Sequence, residues 1–84
     1  EVLAHNFSIS PNPNKGTFTV TFEKPMNNYS VQIIDATGKL ISDNEYENDS
    51  NLSKTFSLPN PQSGLYFITI KAADLVVTKK IIVE

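Results

Sequence analysis

Apolar and polar residues alternate along this chain in short stretches, with a period of two. The strongest stretch is residues 64–70, in which a glycine precedes six β-branched, aromatic or aliphatic residues. A stretch this short, bounded by turn-forming residues on both sides, is typical of a β-strand rather than a helix. Alternation places Tyr66, Ile68 and Ile70 on one face. We therefore predict a central strand whose three alternate side chains face the core.

Other stretches of the chain show the same alternation. The clearest is residues 17–23, where Phe18, Val20 and Phe22 alternate with threonines. The remaining predicted strands are residues 7–10, 29–35, a returning strand that begins at Leu40, 52–58 and 75–84, with Tyr29, Val31, Ile33, Phe56, Leu58, Ile81 and Val83 facing inward. About seven short strands without a helical period predict an all-β fold, a single immunoglobulin-like antiparallel β-sandwich.

A turn rich in proline and asparagine follows the first strand. Pro11 and Pro13 stop that strand because proline lacks a backbone N–H and has a fixed φ. Gly16 can supply the positive φ that closes the turn. Asn12 and Asn14 are predicted to hydrogen-bond their own backbone as Asx turns.

Two further turns complete the outline of the fold. Residues 35–39 have the composition of a tight hairpin, with Gly38 in the left-handed position. The third and fourth strands should therefore pair antiparallel. Residues 59–64 repeat the two-proline chemistry and end in Gly64, just before the central strand.

Length and composition exclude several classes of protein. A chain of 84 residues forms one domain with one thin core. It has no cysteine, which excludes a disulfide framework and a thiolate metal site. Seven lysines and no arginine oppose nine carboxylates, and a net charge of −2 argues against nucleic acid as a partner. No apolar run approaches the roughly 20 residues of a membrane-spanning helix.

The chain offers little for catalysis or metal binding. His5 is its one histidine, with no partner at ligand spacing, and no serine triad or glycine-rich phosphate loop is evident. We therefore predict a protein that is not an enzyme and uses no cofactor or metal. Four carboxylates occur at every second position of residues 43–49 and should share one face, opposite Tyr46. Without the spacing of a calcium loop, they indicate a solvated edge or loop.

Four motifs occur in a particular order along the chain. They are residues 7–10 followed by Pro11-Asn12-Pro13 and Gly16, residues 31–35 followed by Gly38, residues 64–67, and a final Lys79-Lys80-Ile81-Ile82-Val83. In this order and spacing they resemble the C-terminal sorting domain of the type IX secretion system of Bacteroidetes, also described as the Por secretion tail family. The resemblance extends over nearly the whole chain.

The resemblance implies both a fold and a role. Its members are similar immunoglobulin-like sandwiches of seven or eight strands that end cargo proteins. They are recognised by the outer-membrane translocon and its shuttle proteins, and a sortase-like cell-surface protease usually removes them after export from the periplasm to the cell surface or medium. The chain begins at Glu1 without a signal peptide. We therefore expect residues 1–6 to be a linker to an upstream cargo domain and residues 7–84 to be the sorting domain.

The same resemblance nominates residues for recognition. The candidates are Lys79, Lys80, Ile81, Ile82 and Val83. The family often ends in a basic or amide side chain, whereas this chain ends in Glu84, so terminal positive charge would rest on the two lysines. They could equally guard an edge strand against strand addition. The motif residues predicted to build the fold rather than to be read are Pro11, Asn12, Pro13, Gly16, Gly38, Gly64 and Tyr66.

A binding module is the main alternative. Immunoglobulin-like domains of this size also bind carbohydrate or serve as spacers in adhesins. Tyr29, Tyr46 and Phe67 could form a sugar-stacking patch if they were coplanar and exposed. The absence of tryptophan, the strongest stacking platform, argues against it.

Overall fold

The computed structural model describes residues 7–25, 27–73 and 75–84. The predicted linker, residues 1–6 with His5, lies outside the described residues, as do Met26 and Asp74. The strands of the described part are β1 (Phe7–Ser10), β2 (Thr17–Phe22), β3 (Asn27–Asp35), β4 (Leu40–Asp49), β5 (Ser53–Ser57), β6 (Gly64–Ala72) and β7 (Leu75–Val83). The predicted all-β fold is therefore confirmed.

The strands form two antiparallel sheets. One sheet has the order β1-β2-β5 and the other has the order β4-β3-β6-β7. The inner strand β6 pairs with β3 on one side and β7 on the other, which confirms its prediction as a central strand. The C-terminal strand β7 and the acidic strand β4 are the edges of the larger sheet.

The inward faces of both sheets form one core. Its buried apolar residues are Phe7, Phe18, Val20, Phe22, Tyr29, Val31, Ile33, Leu58, Tyr66, Ile68, Ile70, Ile81 and Val83. Nearly all are positions that alternation predicts to face inward, because a period of two puts every second side chain on one face. Phe22 in the smaller sheet lies with its ring centroid 5.2 Å from that of Tyr29 in the larger sheet. Aromatic contacts therefore connect the two layers.

The predicted hairpin between β3 and β4 is confirmed. The main-chain N–H of Asp35 donates to the carbonyl oxygen of Lys39 at 3.0 Å, and Gly38 has a φ of 94°. One oxygen of the Asp35 carboxylate accepts hydrogen bonds from the hydroxyl and N–H of Thr37 and from the N–H of Lys39. These donors, the Thr37 hydroxyl foremost, lower the pKa of Asp35 because they stabilise the charged form.

The acidic segment is an edge strand, and three of its four carboxylates behave as predicted. Asp43, Glu45 and Glu47 are exposed. The prediction is wrong for Asp49, whose carboxylate lies 2.6 Å from the Lys54 ammonium at the border between the sheets. The register of β3 against β4 shifts near this point, and Asn48 has a positive φ of 54°. Such an irregularity reverses the alternation, which the spacing of acidic residues does not reveal.

Candidate recognition surface at the C-terminal strand

The five candidate recognition residues of β7 divide between the two faces of the sheet. Ile81 and Val83 are buried, with 0% and 3% of their surface exposed. Lys80 and Ile82 point to the opposite, outer face and are exposed. Only the second pair can meet a partner through their side chains, while the first pair contributes to the fold.

The two lysines, although adjacent, have different surroundings. Lys79 lies opposite Ile68 on the inward face, is half-buried, and has its ammonium 5.2 Å from the centroid of the Phe7 ring. Its chain covers apolar surface while the charge faces an aromatic ring. Lys80 lies opposite Phe67 on the outer face. An inward charge on an edge strand discourages strand addition, so the guard interpretation applies best to Lys79.

The outer edge of β7 is bonded to the turn of residues 11–16. The side-chain amide of Asn12 donates to the carbonyl oxygen of Lys80 at 3.1 Å and accepts from the N–H of Ile82 at 2.9 Å. The predicted Asx turn at Asn12 is therefore wrong. Its amide pairs with the strand as another peptide group would, a contact between residues 70 positions apart.

Asn14 completes this attachment and is itself buried, with 4% of its surface exposed. Its main-chain N–H donates to the carbonyl oxygen of Ile82 at 2.9 Å, and its carbonyl oxygen accepts from the N–H of Glu84 at 2.8 Å. Its side-chain oxygen accepts from the N–H of Gly16 at 2.8 Å, which confirms the predicted Asx turn, and its amide donates to the carbonyl oxygen of Pro11. We call the four hydrogen bonds that Asn12 and Asn14 make with Lys80, Ile82 and Glu84 the asparagine clasp.

The far end of this turn has no room for a side chain. Gly16 has a φ of 112°, and a Cβ placed on it would lie 2.7 Å from the Cβ and Cγ of Pro61. Its carbonyl oxygen accepts from the N–H of Leu58 at 2.8 Å. Glycine is required here both by conformation and by the close approach of residues 59–64.

Tyr66 connects that second turn to β7. Its hydroxyl donates to the carbonyl oxygen of Gln62 at 2.8 Å and accepts from the N–H of Gln62 at 3.2 Å. In the sheet Tyr66 lies opposite Ile81, and Gly64 lies opposite Val83. Three motifs that are far apart in sequence therefore converge on the C-terminal strand. Sequence reasoning predicted the Asx turn of Asn14 but missed the hydrogen bonds of Asn12 and Asn14 to the C-terminal strand, because no local signal indicates which strand lies beside the turn.

The alternative sugar-stacking patch is not formed. Tyr29 is buried, with 5% of its surface exposed, and its ring centroid lies 5.1 Å from that of Tyr46. Phe67 lies opposite Ile34 on the outer face of the sheet, away from both tyrosines. The carbohydrate-binding alternative required one coplanar, exposed aromatic surface. That condition is not met, because Tyr29 and Tyr46 lie on the inward face and Phe67 lies on the outer face.

The two tyrosines instead belong to a small polar cluster at the side of the sandwich. Lys54 has its ammonium 4.4 Å from the centroid of the Tyr46 ring and bonds to Asp49. The Lys54 side chain and the N–H of Asn51 lower the pKa of Asp49, because both bond to its charged form. Burial, followed by the nearby Asp49 charge, raises the pKa of Tyr29. Ionisation of the Tyr29 hydroxyl is therefore disfavoured.

The described residues contain neither a metal-binding cluster nor a membrane-spanning helix. Within the described ranges, no three side chains of histidine, cysteine, aspartate or glutamate come together as a metal site would require. No helix in the part of the chain that the structure describes is long and apolar enough to cross a membrane.

Known proteins resemble this chain in sequence or in fold. The family model described as "Secretion system C-terminal sorting domain" matches residues 8–84. A DUF3244 family protein from Bacteroides vulgatus with an immunoglobulin-like β-sandwich fold is 17% identical, with a TM-score of 0.71 over 94% of this chain and 92% of that one. CopC from Methylosinus trichosporium is 19% identical, with a TM-score of 0.58 over 90% and 89%. At these identities the structures show the fold alone. No curated protein matches the sequence.

Proposed function

Because the chain belongs to the family of secretion system C-terminal sorting domains, we propose that residues 7–84 are a folded address that the type IX outer-membrane translocon recognises on an attached cargo protein. The observation that carries this proposal is the family match over residues 8–84, which includes every strand but the first residue of β1. The address is non-catalytic, which the family and the immunoglobulin-like fold both favour. The cargo crosses the outer membrane as a consequence of carrying it.

The geometry supports a signal that is read as a folded surface. Pro11, Pro13 and Gly16 shape the turn that holds the asparagine clasp, and Tyr66 attaches the second turn. These motif residues build the support of β7, and their side chains are not required to touch a partner. A short linear signal would need no such support, since an unfolded peptide presents its side chains without a core.

The partners follow from the family rather than from a site on this chain. Shuttle proteins and the translocon would contact the C-terminal strand through Lys80 and Ile82, which are the exposed members of residues 79–83. The sortase-like cell-surface protease would remove the domain from its cargo, leaving the cargo at the cell surface or in the medium. Ile81 and Val83 would act indirectly, by keeping β7 in the sheet.

Export of a reporter tests the proposal. The chain is fused to the C-terminus of a folded reporter that carries its own signal peptide, in a host that has the type IX machinery. We expect the reporter in the medium or at the cell surface. The same fusion in a strain without the translocon, and the reporter without the domain, should both stay in the periplasm. An intact, folded fusion that remains in the periplasm of the complete host would contradict the proposed function.

Removal of residues 79–84 should abolish export, but this deletion has two effects. It takes away Lys80 and Ile82 from the surface, and it also removes Ile81 and Val83 from the core. The loss of buried side chains would cost several kcal/mol in a domain whose total stability is about 5 to 15 kcal/mol. Point substitutions on one face of β7 are therefore needed to separate recognition from folding.

A further inference from the structure

The outer face of the larger sheet carries an apolar patch beside the C-terminus. Leu65 lies opposite Ile82, and Phe67 lies opposite both Lys80 and Ile34 in the neighbouring strands. Both Ile82 and Leu65 are large apolar residues that face solvent, with 46% and 36% of their surface exposed. We call Ile34, Leu65, Phe67 and Ile82, with Lys80 among them, the outer patch.

The apolar character is confined to one end of this face. The next row of the same face pairs Thr69 with Thr78, whose hydroxyls are 2.9 Å apart, and the row also contains Gln32. Val76 is 61% exposed at the far end, but its neighbour across the strand is Lys71. A contiguous group of exposed apolar residues with polar neighbours marks an interaction surface, whereas single exposed apolar residues scattered over a protein are ordinary.

The asparagine clasp determines how a partner can use β7. The outward main-chain groups from Lys80 to Glu84 are already bonded to Asn12 and Asn14. A partner strand cannot add to this part of the edge while the clasp is closed. The outer patch lies on the face of the sheet, not on its edge, and remains accessible. Recognition through side chains on this face is therefore the available mode.

Lys80 defines the chemistry of the occupant. No carboxylate lies within ion-pair distance of its ammonium among the described residues, where the one ion pair is that of Lys54 with Asp49. Covering the patch would remove this ammonium from water, which is costly unless an opposite charge meets it. A second copy docked face to face would bring two Lys80 ammonium groups together. The patch suits a different protein that presents an apolar surface with a carboxylate.

We infer that the outer patch is the surface that the receiving protein of the secretion machinery binds, with an apolar surface against Leu65, Phe67 and Ile82 and a carboxylate against Lys80. This inference rests on the proposed function and specifies the surface that is read. It also assigns different roles to adjacent lysines. Lys80 contacts the partner, whereas Lys79 covers Phe7 inside the sandwich.

Four single substitutions in the reporter fusion test the inference. Ile82→Thr and Lys80→Glu change the outer patch and keep strand-forming or exposed polar character. Val76→Thr is the control for the first, since it lies on the same strand and the same face outside the patch. Lys79→Gln is the control for the second, since it is the neighbouring lysine on the other face. Substitution of a central interface residue commonly weakens binding tenfold or more.

We expect export of the Ile82→Thr and Lys80→Glu fusions to fall about tenfold at limiting expression. The Val76→Thr and Lys79→Gln fusions should be exported like the wild type. Thermal unfolding of each 84-residue chain is measured in parallel, and surface substitutions should shift the midpoint by only a few degrees, about 2 to 4 °C. If Ile82→Thr lowers the midpoint further, Lys80→Glu decides, because it replaces one exposed charged side chain with another and removes no apolar residue.

The possible failures are distinguishable. A wild-type fusion that stays in the periplasm contradicts the proposed function, and the inference fails with it. A wild-type fusion that is exported, together with normal export of both patch variants, leaves the proposed function intact and overturns the outer patch. Equal loss in Val76→Thr and Ile82→Thr also overturns it. A concentration-dependent dimer of the wild-type chain that Ile82→Thr dissociates would assign the patch to self-association instead.

Discussion

Two turns of this chain have nearly the same sequence and entirely different contacts. Residues 11–16 are Pro-Asn-Pro-Asn-Lys-Gly, and residues 59–64 are Pro-Asn-Pro-Gln-Ser-Gly. In the first turn both asparagines bond to β7. In the second, Asn60 is exposed with a φ of 45°, and the main chain of Gln62 bonds to the Tyr66 hydroxyl. The turns meet where Gly16 approaches Pro61.

The difference shows that local chemistry makes a turn and neighbours give it a role. The first turn leaves β1, an edge strand whose Phe7 ring lies beside Lys79 of the edge strand β7. Its asparagines therefore lie next to main-chain groups without strand partners. The second turn leads from β5 into the inner strand β6, where both sides of the main chain are already paired. An asparagine there has no open edge to bond.

Replacing Tyr66 should have the largest effect on stability, because its ring lies in the core and its hydroxyl bonds to the second turn. Tyr66→Ala removes a buried ring and its two hydrogen bonds to Gln62, and should lower the free energy of unfolding by about 3 to 5 kcal/mol. Urea unfolding measures this change. Tyr66→Phe is the matched control and should cost about 1 kcal/mol, because only the hydroxyl is lost. A melting point of Tyr66→Ala within a few degrees of the wild type would contradict the buried role.

The two closing glycines give a sharper comparison between the turns. Gly16→Ala combines an unfavourable positive φ with a contact of 2.7 Å to Pro61, and should destabilise the chain by about 3 kcal/mol. Gly64→Ala has the same conformational problem at a φ of 147° but meets no atom within 4 Å. It should cost about 1 kcal/mol. Equal losses in parallel chemical unfolding would show that the turns do not press together at Gly16.

Asparagine in the two turns should differ in the same direction. Asn14→Ala removes the side-chain hydrogen bonds to the Gly16 N–H and the Pro11 carbonyl, and should lower the free energy of unfolding by about 2 kcal/mol. Asn60 makes no side-chain hydrogen bond among the described residues, and Asn60→Gly keeps its positive φ accessible. Its effect should be within about 0.5 kcal/mol. Thermal melts of both variants test this, and a loss at Asn60 as large as at Asn14 would remove the distinction.

Opening the clasp at Asn12 should give the smallest change in stability. Asn12→Ala frees the Lys80 carbonyl and the Ile82 N–H at an exposed edge, where water replaces the lost bonds, so the cost should be about 1 kcal/mol or less. Amide hydrogen exchange is the more sensitive measurement. The Ile82 amide should exchange faster in the variant, while the amides of β3 stay protected. An unchanged exchange rate of the Ile82 amide would show that the hydrogen bond from Asn12 does not protect it.

Much of the fold could be predicted from short-range pattern. Phe18, Val20 and Phe22 face inward as their alternation with threonine indicates, and Gly38 closes the hairpin as its position between Asp35 and Leu40 indicates. Such predictions succeed because strand period and turn conformation depend on neighbours within a few residues. The prediction failed at Asp49, where an irregular pairing with β3 reversed the alternation. A shift in register depends on the partner strand, which the local sequence does not contain.

Patterns within a few residues were enough to predict the strands, the turns between them and the core faces, and the order of four motifs was enough to indicate the family. The folded chain, in contrast, sets the long-range contacts: Asn12 and Asn14 bond to a strand about 70 residues away, and the Lys79 ammonium lies over the Phe7 ring. The outer patch likewise exists only because β3, β6 and β7 are neighbours in one sheet. The physical reason is that a periodic pattern states which way each side chain points, whereas a contact requires two segments to meet, and their meeting depends on the packing of the whole chain.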